Sequence, residues 1–279
     1  MKITINGANA DIQLESEKTA GEVLSALETW LAGSRHRLSG LCINGETINS
    51  KSMEACFGRD LTGIDTIDII TSSLPELYAE SLLNILRDID DYEAADFEGK
   101  KQFAEQWKES PQAQMLAEQS SDLHNWVTNT FSGSGSDPRL LRTLVEERLS
   151  ELKDPAAELD KTKSLVDDIC FRLEELPLDI QTGKDSKAVE TISLFSGITE
   201  KVFRLYNVLR IEDYPVNDIQ VDTKPIAEYI ADFGKELGEL LTAYEKQDSV
   251  LVGDLAEYEM APRLRGLFNA VSDTIKKGE

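Results

Sequence analysis

Positive charge is what this chain most lacks: 29 Lys+Arg stand against 52 Asp+Glu, a formal net charge of −23 over 279 residues. Nucleic acid and anionic membrane surfaces are bound by basic faces that release counterions or meet lipid head groups, so neither is an expected partner. Long apolar runs are missing too. Nothing approaches the roughly 18 consecutive apolar residues of a membrane helix, and Met1-Lys2-Ile3-Thr4-Ile5-Asn6 turns polar too early for a secretory signal. Cysteine is scarce and odd in number. Cys42, Cys56 and Cys170 are widely spaced, which fits isolated reduced thiols better than a disulfide framework or a zinc site. The expectation is a soluble protein of the cytoplasm, without membrane insertion.

Catalytic signatures are equally sparse. The two histidines, His36 and His124, belong to no Glu-x-x-His or His-Glu-x-x-His pattern. Asp88-Ile89-Asp90-Asp91-Tyr92-Glu93 crowds carboxylates, but a calcium loop opening at Asp88 needs glycine at its sixth position, where Glu93 stands. Gly133-Ser134-Gly135 lacks the strand-turn-helix context of a nucleophile elbow, and Gly183-Lys184-Asp185 lacks the glycine spacing and hydroxyl of a phosphate loop. Asp167/Asp168 and Glu174/Glu175 are neighbours on a helix, pointing about 100° apart, so they do not converge for acid-base work. No catalytic residue, metal ligand or cofactor is expected, and the chain reads as a non-enzyme.

What is present is enough apolar material, 41% of residues, for a core, over a length suited to about two domains. Ile3 and Ile5 alternate with polar neighbours before Asn6-Gly7, and Ile12 and Leu14 do so after it, which predicts a hairpin. Thr19 and Glu22 form a capping box that opens a helix with Val23, Leu24, Leu27, Trp30 and Leu31 on one face, ending near Gly33. Strands follow near Leu38 to Ile43 and near Thr66 to Ile70, with Ile67 and Ile69 inward.

This ββαββ order, with Thr19-Ala20-Gly21-Glu22-Val23-Leu24 at the helix entry, resembles the ubiquitin-like β-grasp fold over residues 1–73. The resemblance implies a docking module or a structural cap. The free C-terminal Gly-Gly through which such carriers act is replaced by Thr71-Ser72-Ser73-Leu74-Pro75, so conjugation and sulfur transfer are not expected. The outer sheet face is predicted to offer Lys2, Thr4, Asp11, Gln13, Glu15 and Asp68 rather than an apolar patch.

Beyond Ser73 the periodicity is helical. A helix with Leu74, Leu77, Tyr78, Leu82, Ile85, Leu86 and Ile89 is followed by one around Phe103 to Phe131 with Trp107, Leu116, Leu123, Trp126 and Val127, together a connector over 74–131. Ser132-Gly133-Ser134-Gly135-Ser136 reads as a flexible linker. From there about five helices, punctuated at Asp154-Pro155, Pro177, Gly183, Pro215, Pro225 and Asp248, predict an antiparallel bundle over 137–279. The seams run through Ala188, Ile192, Phe195, Thr199, Val202, Tyr206 and Leu209, and through Ile226, Ile230, Phe233, Leu237, Leu240 and Tyr244. The fold class is therefore α+β.

Charge divides unevenly. Residues 1–73 carry six basic and ten acidic groups, a net of −4, and the remainder 23 and 42, a net of −19. The strongest field belongs to the helices, where a basic protein partner is expected. The string from Leu251 to Pro262 is the most unusual, with Leu251, Leu255, Tyr258 and Pro262 on one stripe and a kink predicted at Pro262. Its Asp-Leu-x-Glu-Tyr-Glu-x-x-Pro pattern resembles uncharacterised helical proteins of flagellated bacteria, and Asp254, Glu257, Tyr258 and Glu259 are the expected partner-binding residues. An intracellular adaptor or scaffold is the leading expectation. An acidic export or assembly chaperone, with motility as one setting, and an enzyme whose carboxylates meet only in the fold are the alternatives.

Overall fold

The computed structural model describes residues 1–10, 17–34, 36–135, 137–212 and 214–278. It is α+β, with a mixed five-stranded sheet followed by a mostly helical region. The chain divides into two compact units, Met1–Val145 and Glu146–Glu279.

In the first unit, β1 (Lys2–Ile5) and β2 (Ala8–Asn9) form an antiparallel pair through Asn6 and Gly7, both at positive φ as such a tight turn demands. The expected strand through Ile12 and Leu14 falls on residues 11–16, outside the described residues. The capping box at Thr19 and Glu22 opens α1 (Ala20–Ala32), Thr19 Oγ1 accepting from the Glu22 amide while the Glu22 carboxylate accepts from the Thr19 amide. Then come β3 (His36–Ile43), β4 (Glu46–Thr47), α2 (Ser50–Phe57) and β5 (Thr66–Ser73). The sheet order is β2-β1-β5-β3-β4, with β1 and β5 parallel and the remaining pairs antiparallel. Strand alternation turns Ile3, Leu41, Ile43, Ile67 and Ile69 into one core with Val23, Leu24 and Leu27 of α1. Trp30 is 66% exposed and not part of the core face, because Leu31, about 100° around the helix, fills the core at the last turn. Lys2, Thr4 and Asp68 alternate to the opposite sheet face, but Thr4, expected to be offered there, is buried, its Oγ1 donating to Asp68 at 2.5 Å. Asp11, Gln13 and Glu15 lie outside the described residues.

Ser73 caps α3 (Leu74–Ala94) by the same reciprocal arrangement with Glu76, and Pro75 occupies its first turn. The expected single helix from Phe103 to Phe131 is instead three: α4 (Phe97–Lys108), α5 (Pro111–Gln119) and α6 (Ser121–Phe131). Ser110 caps α5 by accepting from the Ala113 amide, and Pro111, which has no amide proton to continue α4, starts the new helix. The breaks let Tyr92, Phe103, Trp107 and Phe131 meet as an aromatic cluster, with Trp107 Nε1 donating to Thr128 Oγ1 at 3.0 Å. Trp126, expected in that core, is 39% exposed, about 100° around α6 from the buried Val127.

The division between the units falls inside α7 (Pro138–Lys153). The second unit continues with α8 (Pro155–Glu174), α9 (Leu176–Gln181) and α10 (Asp185–Ile211). Pro177 begins the short α9 rather than ending α8, and Gly183, at φ +72°, closes it. A two-stranded ribbon, β6 (Gln220–Val221) and β7 (Lys224–Pro225), precedes α11 (Ile226–Glu245) and α12 (Ser249–Asp254). A π-helix (Leu255–Met260) then runs into α13 (Ala261–Gly278). Helix α8 packs on α10 and α13, and the core joins Leu173, Phe195, Val202, Phe233, Leu240, Met260 and Phe268. Tyr244, expected on the α11 seam, is partly exposed because Ala243 takes the buried position at that turn.

Candidate functional site

The stretch singled out for partner binding sits where the helix changes register. Asp248 caps α12 by accepting from the Leu251 amide at 3.1 Å, and Gly253 lies against Pro177, where an added Cβ would stand 3.3 Å from the proline ring. Proline at 262 brings no N–H, so a carbonyl at Glu257 or Tyr258 loses its helical donor. The chain widens to a π-turn, with the Ala261 amide bonding back to Ala256. The interruption expected at Pro262 thus takes the form of a π-turn, a feature frequent at functional sites.

Around this turn the second unit forms an open cleft of about 300 Å³. Tyr258, Glu259, Pro262 and Arg263 line it from the π-turn and the start of α13, and Asp222, Lys224 and Tyr229 from the β6–β7 ribbon and α11. Asp222 and Thr223 connect β6 to β7 at φ +50° and +68°, left-handed conformations that are costly for a β-branched threonine. Tyr229 is buried beneath the cleft, its hydroxyl donating to the Arg263 carbonyl at 3.2 Å. Burial, with the Asp222 charge nearby, pushes that phenol up to about 12. The Arg263 guanidinium lies over the Tyr229 ring, 5.6 Å from its centroid, and pairs with Glu236 and with Glu259, the latter at 3.4 Å. Lys224 is held by Asp232 at 2.6 Å, which also takes Lys235 at 3.3 Å. Both cations of the cleft are therefore matched by carboxylates.

Of the residues expected to bind a partner, Tyr258 and Glu259 line the cleft, while Asp254 and Glu257 stand on the same turn outside its lining. Tyr258 is 64% exposed. Its hydroxyl is engaged by Glu257, whose acceptor and charge raise the phenol's pKa, and the ring face is left to solvent. Leu251, on the predicted stripe, is partly exposed as well. Asp222, Lys224 and Arg263 were not anticipated, the available signal being only the polar turn Asp222-Thr223 before a helix start.

A second cluster also escapes simple reading. Glu151 is 2% exposed, and Arg204 grips it with two hydrogen bonds, Nε at 3.0 Å and Nη2 at 2.9 Å. Arg148 stands 3.7 Å and Lys201 3.8 Å from the same carboxylate. Burial outweighs the charges of Arg148 and Lys201, with Glu147 and Glu158 adding to it, and pushes the Glu151 carboxyl up to about 7. Neighbouring Glu158 is also desolvated, but Lys161 and Ser150, each at 2.7 Å, and Lys201 hold it below its usual value. The sequence signal was Arg148 following Leu141 and Val145 at helical spacing, a charge where the apolar stripe calls for none. The adjacent carboxylates diverge: Asp167 pairs with Lys163, Asp168 with Arg172 and Glu174 with Arg265. Among the described residues no group of three or more His, Cys, Asp or Glu is placed to hold a metal ion, and no helix is long and apolar enough to cross a membrane.

The first unit's sheet region and the cleft-bearing helices each match a family model. Residues 1–73 match the TP0873 N-terminal domain. Residues 157–270, which include the cleft and much of the ion cluster, match a domain of unknown function, DUF8042. Over 271 residues the chain is 22% identical to an uncharacterized protein of Treponema pallidum (strain Nichols), covering 97% of this chain and 96% of that protein. The likeness therefore extends through both units. No solved structure matches the chain.

Proposed function

We propose that the chain is a non-enzymatic adaptor that binds a protein with a basic surface, using an acidic helical unit joined to an N-terminal ubiquitin-like β-grasp module. The β-grasp reading is supported by parallel β1 and β5 side by side within the order β2-β1-β5-β3-β4, with α1 supplying the helical side of their core. Three free thiols support a reducing, cytoplasmic setting. The observation that carries the binding reading is Tyr258, an aromatic ring held open to solvent on a π-turn among Asp254, Glu257 and Glu259. Exposed aromatics supply anchor area at protein interfaces, and a surrounding field of one sign steers the oppositely charged partner and rejects like-charged surfaces such as nucleic acid. Affinity capture from the native host, with full-length chain and a Tyr258→Ala/Glu257→Gln variant as baits at low salt, tests this. The wild-type bait is expected to recover the same basic protein repeatedly, and the variant several-fold less of it. Wild-type and variant baits that recover identical material overturn the reading.

A further inference from the structure

The cleft at the π-turn has a chemistry more specific than general acidity. Its own cations are spoken for: Lys224 is bound to Asp232, and Arg263 to Glu236 and Glu259. Asp222 at the rim makes no ion pair among the described residues, and its turn holds it in place at a left-handed backbone position. The same cleft is lined by the exposed ring of Tyr258 and by Pro262. On the same turn, a backbone carbonyl at Glu257 or Tyr258 has lost the donor that proline cannot provide. The cleft thus offers flat faces and, at Asp222, a carboxylate that makes no ion pair among the described residues. An anion is disfavoured here, because every cation in the cleft already has a carboxylate partner.

We propose that this cleft seats the guanidinium of an arginine side chain projecting from the partner protein, stacked on Tyr258 and hydrogen-bonded to Asp222. Guanidinium is planar, carries five N–H donors in a fixed fork and sheds water more readily than an ammonium, so it uses the ring and the carboxylate together. A lysine ammonium presents a compact charge and gains less from the stacking faces. The inference rests on the reading of the chain as a binder of a basic protein.

The test is titration of the full chain with N-acetyl-arginine amide and its uncharged citrulline analogue, followed by amide chemical shifts, beside a separate titration with an arginine-rich peptide. Arginine amide is expected to shift resonances around Asp222 and Tyr258, and citrulline to shift them little. Tyr258→Ala and Asp222→Asn, both exposed positions whose folding is verified by far-UV circular dichroism, each weaken arginine binding about fivefold, the loss of one stacking or charged contact. Equal response to arginine and citrulline, or variants that bind arginine as the wild type does, overturns the assignment. If the peptide still binds tightly and salt-sensitively while the cleft variants leave it unchanged, the cleft inference falls and the adaptor reading stands. If the peptide does not bind at all, both fall.

Discussion

Replacing Glu151 by glutamine isolates the energetic consequence of placing a carboxyl inside the helical unit. Its side chain is almost fully buried between Arg148, Lys201 and Arg204, and the rise from the ordinary 4.5 to about 7 is worth about 3 kcal/mol between its two protonation states. A carboxyl whose native pKa lies above its unfolded value binds its proton more tightly when folded. Its stabilising contribution is therefore full below pH 4.5 and is lost as pH rises through about 7. Urea unfolding followed by far-UV circular dichroism, at pH values from 4.5 to 8, measures this for wild type and Glu151→Gln. The wild-type unfolding free energy should fall by about 3 kcal/mol more than the variant's across that interval, since glutamine does not titrate. Parallel pH curves for the two proteins would show that the three cations cancel the burial cost, and the reasoning would be refuted.

Two further expectations concern packing. Gly21→Ala places a Cβ 2.6 Å from the Phe57 ring and 2.8 Å from the Phe57 carbonyl oxygen, so α1 and α2 must separate; a loss of about 1–3 kcal/mol in urea unfolding is expected, and an unchanged midpoint refutes it. Phe233→Ala removes the ring that Phe195 and Phe203 approach at 6.4 and 5.7 Å between centroids; about 3–5 kcal/mol should be lost by the same measurement, and a loss under 1 kcal/mol would show that the site collapses around the smaller side chain.

Much of the local architecture was legible because it is encoded locally. The Thr19/Glu22 box, the inward Ile67 and Ile69, Pro75 in the first turn of α3, the Asp154 and Asp248 caps and the α10 seam all follow from spacings of two, three or four residues. Three things were not. Helix α2 carries a weak apolar signal, with only Cys56 and part of Met53 reaching the core. The single expected helix runs across the Ser110-Pro111 stop signal, while the break at Ser120 carries only two serines. Trp30 and Tyr244 sit at seam spacing, yet a neighbouring leucine and alanine occupy the core instead.

By itself, then, the sequence determined the α+β class, the strands around Ile3, Leu41 and Ile67, the starts of helices that carry a local cap or proline, and that most of the negative charge lies beyond Ser73. Only the tertiary structure decided where Asp222, Tyr229, Tyr258 and Arg263 meet, and that Glu151 is enclosed by Arg148, Lys201 and Arg204. Periodicity fixes which face of a helix turns inward, because that depends on residues a turn apart. It does not fix which other helix that face meets, and the cleft joins a turn before α11 to a π-turn before α13, more than thirty residues on.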